Sequence, residues 1–217
     1  MSAFEFLVSR RAAVAGGAAI FLGVVAPAFA EKASSGKVAI DELLAPNALP
    51  DVVEGKADAP VTIIEYASMT CSHCAAFHRD VYPALKKKYI ETGKVKFVLR
   101  EFPLDPLATA AFMLARNSGD KRDAVVDLLF AQQKNWAFVD KPLDGLANVL
   151  KQTGLGQEAF QATLKDQQLY ENVNKIRDRA AEKFGVNSTP TFFINGDKYG
   201  GEIGEADLDK IIAEKSK

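Results

Sequence analysis

Val61-Thr62-Ile63-Ile64-Glu65-Tyr66-Ala67-Ser68-Met69-Thr70-Cys71-Ser72-His73-Cys74 changes character along its length. Residues 61–66 are β-branched or aromatic around a single acid, the composition of a buried strand. From Cys74 onward, Phe77, Val81, Leu85 and Tyr89 recur at intervals of three and four, one face of a helix. Lys86, Lys87 and Lys88 fall in its last part, where cations suit the helix dipole, and Gly93 marks its stop. Residues 95–102 read as a second strand. The order strand, helix, strand predicts a βαβ unit with a parallel pair. Cys71 then stands where the first strand gives way to the helix.

That position has chemical consequences. A sulfur at a helix N-terminus faces free backbone N–H groups and the positive end of the dipole. Both favour thiolate over thiol, which makes Cys71 a nucleophile near neutral pH. Cys74, one turn on, reaches the same sulfur from the inner face. The asymmetry assigns attack to Cys71 and resolution of a mixed disulfide to Cys74. His73, between them, offers a hydrogen bond or a positive charge to the Cys71 thiolate. A permanent structural disulfide is a poor alternative, because so short a ring removes little chain entropy. A metal site built from Cys71, Cys74 and His78 suits zinc or copper(I) by ligand type, but no second ligand cluster completes it. His78 otherwise reads as a residue on the helix flank. Glu65 interrupts an apolar strand. It is either an exposed edge carboxylate or a buried acid beneath the cysteines that exchanges a proton with Cys74.

Working outward, residues 103–186 are helical almost throughout, with helices expected at 107–117, 121–134, 143–152, 157–165 and 167–184. The last carries one stripe of Leu169, Val173, Ile176, Ala180 and Phe184, ended by Gly185. Strand character returns at residues 191–194. Asn195-Gly196 signals a hairpin with Lys198-Tyr199 as the return strand, and a final helix is expected at 205–214. Thr189-Pro190 leads the returning strand. A cis bond there would present the Thr189 backbone beside the cysteines, ready to pair with a substrate strand. Trp136, Phe192 and Phe193 are candidates for core packing or for a substrate groove. Residues 31–54 read as an N-terminal arm with one short helix near Ile40–Leu44.

Residues 1–30 read as an export signal: Arg10-Arg11, an uncharged run, and Ala28-Phe29-Ala30 as an A-x-A cleavage site after Ala30. Ser9-Arg10-Arg11 also fits a twin-arginine signal, so both the Sec and twin-arginine routes stay open, as does an uncleaved anchor. The composition narrows the rest. The chain has 217 residues, 48% apolar and 25% charged, with 15 glycines and 9 prolines, which excludes a disordered tail or a collagen-like fibre. A net charge of −1 offers nucleic acid no basic field. Two cysteines exclude a disulfide-stapled mini-protein and a four-cysteine zinc site.

The segment from Glu65 to Cys74, with its C-x-H-C motif, the distant Thr189-Pro190 and the Asn195-Gly196 turn, resembles DsbA-like thiol:disulfide oxidoreductases of the bacterial periplasm. The resemblance covers residues 55–217. It implies an α/β thioredoxin-like fold with an inserted all-helical domain. The fold would run as residues 55–102 and 187–217, with the insertion at 103–186 between them. It implies Cys71 as nucleophile, Cys74 as resolving thiol, His73 as thiolate stabiliser, Pro190 as the cis-proline, Thr189 as the residue before it, and Glu65 as the buried acid. Ser72 stands where the best-known members have proline, and Thr189 where some have valine. No second cysteine pair is present. The implied function is a periplasmic oxidase, needing no cofactor and no metal, that introduces disulfides into exported proteins. Its partners would be reduced exported substrates and a membrane DsbB-like, quinone-linked oxidase, with no nucleic acid, and it would act as a monomer. A disulfide isomerase or reductase of the same fold remains an alternative. So does a copper or zinc chaperone using Cys71, Cys74 and His78, or a thioredoxin-fold module without turnover.

Overall fold

The structure, a computed structural model, describes residues 32–217. The expected export signal lies outside the described residues. In chain order the first elements are β1 (Gly36–Lys37), α1 (Ile40–Leu44), β2 (Val53–Glu54), β3 (Val61–Ala67), α2 (Ser72–Asp80), α3 (Tyr82–Leu85) and β4 (Val95–Glu101). Helices α4 (Pro106–Arg116), α5 (Arg122–Ala131), α6 (Gln133–Trp136), α7 (Pro142–Leu150), α8 (Gln157–Leu164) and α9 (Gln167–Phe184) follow. The chain closes with β5 (Thr191–Ile194), β6 (Asp197–Gly200) and α10 (Glu205–Lys215).

The strands form one sheet in the order β1-β6-β5-β3-β4-β2. β3 and β4 pair in parallel, as the βαβ pattern predicts, and β5 and β6 run antiparallel to their neighbours. Every residue of β3 is buried, because the sheet is covered on both faces. Alternation divides the strand. Val61, Ile63 and Ala67 join the core that holds Cys74, Phe77 and Leu85. Ile64 and Tyr66 join a second core with Val98, Phe184 and Phe193. Glu65 therefore points to the face on which α2 packs. The first core runs on into the helical block through Met113, Val125, Leu129 and Trp136. Trp136, Phe192 and Phe193 are fully buried, which settles them as core side chains.

Local chemistry explains where the elements depart from the periodic pattern. The single helix expected from Cys74 to Tyr89 breaks at Val81. Pro83 has no N–H to donate to the Arg79 carbonyl, so the ladder is interrupted there and α3 restarts with proline in its first turn. A π-turn at Lys86–Ile90 then carries the three lysines. The expected helix at 121–134 divides at Gln132, whose backbone leaves helical geometry. The Trp136 indole donates to the Leu129 carbonyl at 2.9 Å, satisfying an acceptor in the last turn of α5. The stripe of α9 serves both layers: Val173 lies in the first core, and Ile176, Ala180 and Phe184 lie in the second. The arm at 31–54 also does more than expected, since it supplies the two edge strands β1 and β2. Between β5 and β6 the Asn195-Gly196 turn has positive φ at both residues, as a type I′ hairpin requires. A Cβ at Gly196 would also meet the Val38 carbonyl at 2.4 Å, so no larger residue fits. Among the described residues no helix is long and apolar enough to cross a membrane.

Candidate active site

The loop that carries the cysteines is held from both sides. On one side the Thr70 hydroxyl donates to Asp105 at 2.5 Å, and the Leu104 N–H donates to the Ser68 hydroxyl at 3.2 Å. Asp105 also caps α4 by accepting from the Ala108 N–H. On the other side the buried Gln133 amide nitrogen donates to the carbonyls of Met69 at 2.8 Å and Cys71 at 2.9 Å. The helical block thus fixes the geometry of the loop.

Cys71 is the extended N-cap residue of α2, and both cysteines are free thiols. Cys71 keeps 8% of its surface exposed and Cys74 none. The Cys71 pKa is lowered to about 5. The hydrogen bond from the Cys74 thiol is the strongest cause and outweighs desolvation. The Thr189 side chain and the backbone N–H groups of Cys74 and His73 add to it. Cys74 moves the opposite way. Burial pushes its pKa up, and the nearby negative charge of Glu65 adds to the rise. One sulfur is therefore a stable thiolate at neutral pH that still reaches the surface, and the other a fully buried thiol.

The remaining expected residues fall into place around this pair, with one change of emphasis. The Thr189-Pro190 bond is cis, and it sets the Thr189 carbonyl oxygen 3.4 Å from the Cys71 sulfur. Glu65 is completely buried, not an edge carboxylate. His73 turns outward and pairs its Nδ1 with Glu202 at 2.6 Å. Glu202 and, more weakly, the charge of Cys71 raise the pKa of this exposed imidazole. His73 thus serves the thiolate chiefly through its backbone N–H. His78 is not a helix flank. It is buried and pairs Nε2 with Glu65 Oε2 at 2.9 Å. Among the described residues no group of three or more His, Cys, Asp or Glu side chains is arranged to hold a metal ion. Gln133 and Glu202 were invisible to sequence reading, since neither belongs to a motif or breaks a periodicity. His78 was legible through its spacing, one turn after Cys74, which groups it with the cysteines; its pairing with Glu65 was not.

A thioredoxin family model matches residues 47–214. A Rickettsia typhi protein named "Putative protein-disulfide oxidoreductase" is 34% identical over 148 residues, which are 67% of this chain and 55% of that one. The chain thus spans little more than half the length of that relative. A Bacillus anthracis protein named "Probable disulfide bond formation protein D" is 30% identical over 65% of this chain and 68% of its own. The solved structure of α-DsbA1 from Wolbachia pipientis superposes with a TM-score of 0.75 at 32% identity, covering 81% of this chain and 95% of that one. BdbD from Bacillus subtilis has the same fold at a TM-score of 0.67 and 21% identity. The matched span, the relatives and the inserted helical layer together show that the chain belongs to the DsbA-like family of thioredoxin-fold proteins.

Proposed function

We propose that this protein is a thiol:disulfide oxidoreductase that acts as a dithiol oxidase on exported proteins in the periplasm. The observation that carries this reading is the unequal ionisation of the pair, with Cys71 lowered to about 5 and Cys74 raised. A thiolate this stable is a good leaving group, so the disulfide form is the more reactive state and gives up its bond readily.

The exchange follows from the geometry. A substrate thiolate attacks the Cys71 sulfur of the Cys71–Cys74 disulfide, the more accessible of the two. The bond to Cys74 breaks, and Cys74 leaves and takes up a proton. A second substrate thiolate then attacks the substrate sulfur of the mixed disulfide and expels Cys71 as thiolate. Two electrons have moved from the substrate to the pair, and the substrate holds the new disulfide. The Thr189 carbonyl beside Cys71 lies where an extended substrate backbone would run. A membrane partner of the DsbB type, linked to quinone, would restore the disulfide. The dithiol itself carries the electrons, so the scheme requires no prosthetic group.

The test is the equilibrium of the Cys71/Cys74 pair with a glutathione redox buffer, together with refolding of reduced ribonuclease. An oxidase has a potential well above that of cytosolic thioredoxin, about −270 mV. A value at or below that level overturns the oxidase direction in favour of a reductase. Refolding activity that survives Cys71→Ser overturns the mechanism as a whole.

A further inference from the structure

Glu65 holds only half of its hydrogen-bonding capacity. Oε2 pairs with His78, while the buried Oε1 has no partner. The carboxylate lies on the α2 face of β3, near enough to Cys74 for its charge to act on that thiol. His78 sits one turn after Cys74 on the same helix. Its ring stacks on Phe130 at 4.3 Å and packs against Tyr82 at 4.8 Å. The far nitrogen, Nδ1, is buried without a hydrogen bond and lies 3.9 Å from Asp127 Oδ1.

Asp127 is half-exposed on α5 and stands at a cavity of about 340 Å³ whose walls include His78, Tyr82 and Lys86. Neither cysteine lines that cavity, nor do His73 and Thr189. The other charged groups around His78 are already engaged. The Tyr82 hydroxyl and Lys86 both donate to Glu54 on β2. Arg79 pairs with Asp80, and Asp123 with Arg122. Asp127 is the acid left facing the imidazole, and burial raises its pKa.

We propose that His78 passes the Cys74 proton between Glu65 and the cavity at Asp127, through an opening separate from the face where Cys71 meets its substrate. This rests on the oxidoreductase reading and deepens it. During resolution of a Cys71 mixed disulfide, the Cys74 thiol gives its proton to Glu65. In the same movement, with the imidazole in its Nδ1–H tautomer, the proton shared by Glu65 Oε2 and His78 crosses to Nε2, and the proton on Nδ1 leaves toward Asp127. The Cys74 thiolate attacks the Cys71 sulfur, the mixed disulfide breaks, and the departing thiolate takes a proton from bulk water. The pair is oxidised and the departing group reduced. Oxidation of a substrate runs the route inward, delivering a proton to Cys74 as it leaves. A protein chain covering Cys71 and Thr189 leaves the opening free. His78 is a positioning residue in this scheme, since it acts through Glu65.

The test reacts the reduced full chain with oxidised glutathione and follows, by acid quench and mass spectrometry, formation of the Cys71–glutathione adduct and its resolution by Cys74. In His78→Gln the first step should keep its rate, while resolution at pH 7 slows by between roughly tenfold and a hundredfold. The pH profile of resolution should move up toward the titration of Cys74 itself. Asp127→Asn, at a half-exposed site that tolerates the change, should slow the same step less and in the same direction, and it decides the matter if His78→Gln does not fold. Resolution with the wild-type rate and pH profile in the folded variants overturns the route and leaves the oxidoreductase reading intact. A wild-type chain that forms no adduct at Cys71 overturns both.

Discussion

The side-chain amide of Gln133 donates to the Cys71 carbonyl at 2.9 Å, so the first residue of the inserted α6 helix holds the backbone of Cys71. The same nitrogen holds Met69, two residues earlier. Replacing it with a group that cannot donate leaves buried carbonyls short of a partner. Gln133→Leu should therefore lower the stability of the reduced protein by about 1–3 kcal/mol in urea unfolding. An unchanged midpoint would show that the loop stands without the helical block.

The ionisation of Cys71 is directly measurable. Thiolate absorbance near 240 nm should titrate with a midpoint of about 5, and the transition should vanish in Cys71→Ser. Because the Cys74 thiol is the strongest support of that thiolate, Cys74→Ala should raise the midpoint. A hydrogen bond to a charged group corresponds to roughly one to two pKa units. A midpoint that stays put would transfer the credit to the helix N-terminus.

His73→Ala should raise the same midpoint by less than Cys74→Ala does. The imidazole is exposed and paired with Glu202, while the backbone N–H that favours the thiolate survives the substitution. A larger effect for His73→Ala would show that the imidazolium reaches the sulfur in solution.

The redox equilibrium should change slope with pH. The folded Cys71 titrates at about 5, below the unfolded thiol, so its stabilisation of the reduced chain is fully present above the unfolded value and is lost as pH falls through about 5. Above pH 5 reduction takes up one proton, at Cys74. Below it, reduction takes up two. The potential should fall by about 59 mV per pH unit below the break and about 30 mV above it. A single slope from pH 4 to 8 would contradict the assignment.

Much of this site is legible in the sequence because its parts announce themselves locally. The C-x-x-C pair, the strand before it, Thr189-Pro190 and Asn195-Gly196 are each a short pattern with one physical meaning. Glu65 is legible as an acid out of place in an apolar strand. The residues that hold the site are of another kind. Gln133 contributes one side chain to a loop more than sixty positions away, and nothing around it in the chain marks it. His78 reads as surface because the stripe through Phe77 and Val81 defines too narrow a buried face. Helix α5 packs on the other side of α2 and widens it. Pro83 breaks a helix that the spacing of Leu85 and Tyr89 alone carries straight through it. The strands at 36–37 and 53–54 are too short to carry any alternation, and only pairing with β6 and β4 defines them.

Those two short strands bear on what the protein can safely touch. A molecule that exchanges disulfides with unfolded chains, as proposed for this one, risks being extended by them, strand upon strand, wherever backbone lies open along a sheet margin. Here each margin ends in a strand of two residues, too brief to template a foreign one. Backbone adhesion is thereby discouraged at the rims of the sheet. On the proposed reading, the place left for an incoming chain is the one beside Cys71, where contact lasts only as long as a disulfide that Cys74 can undo.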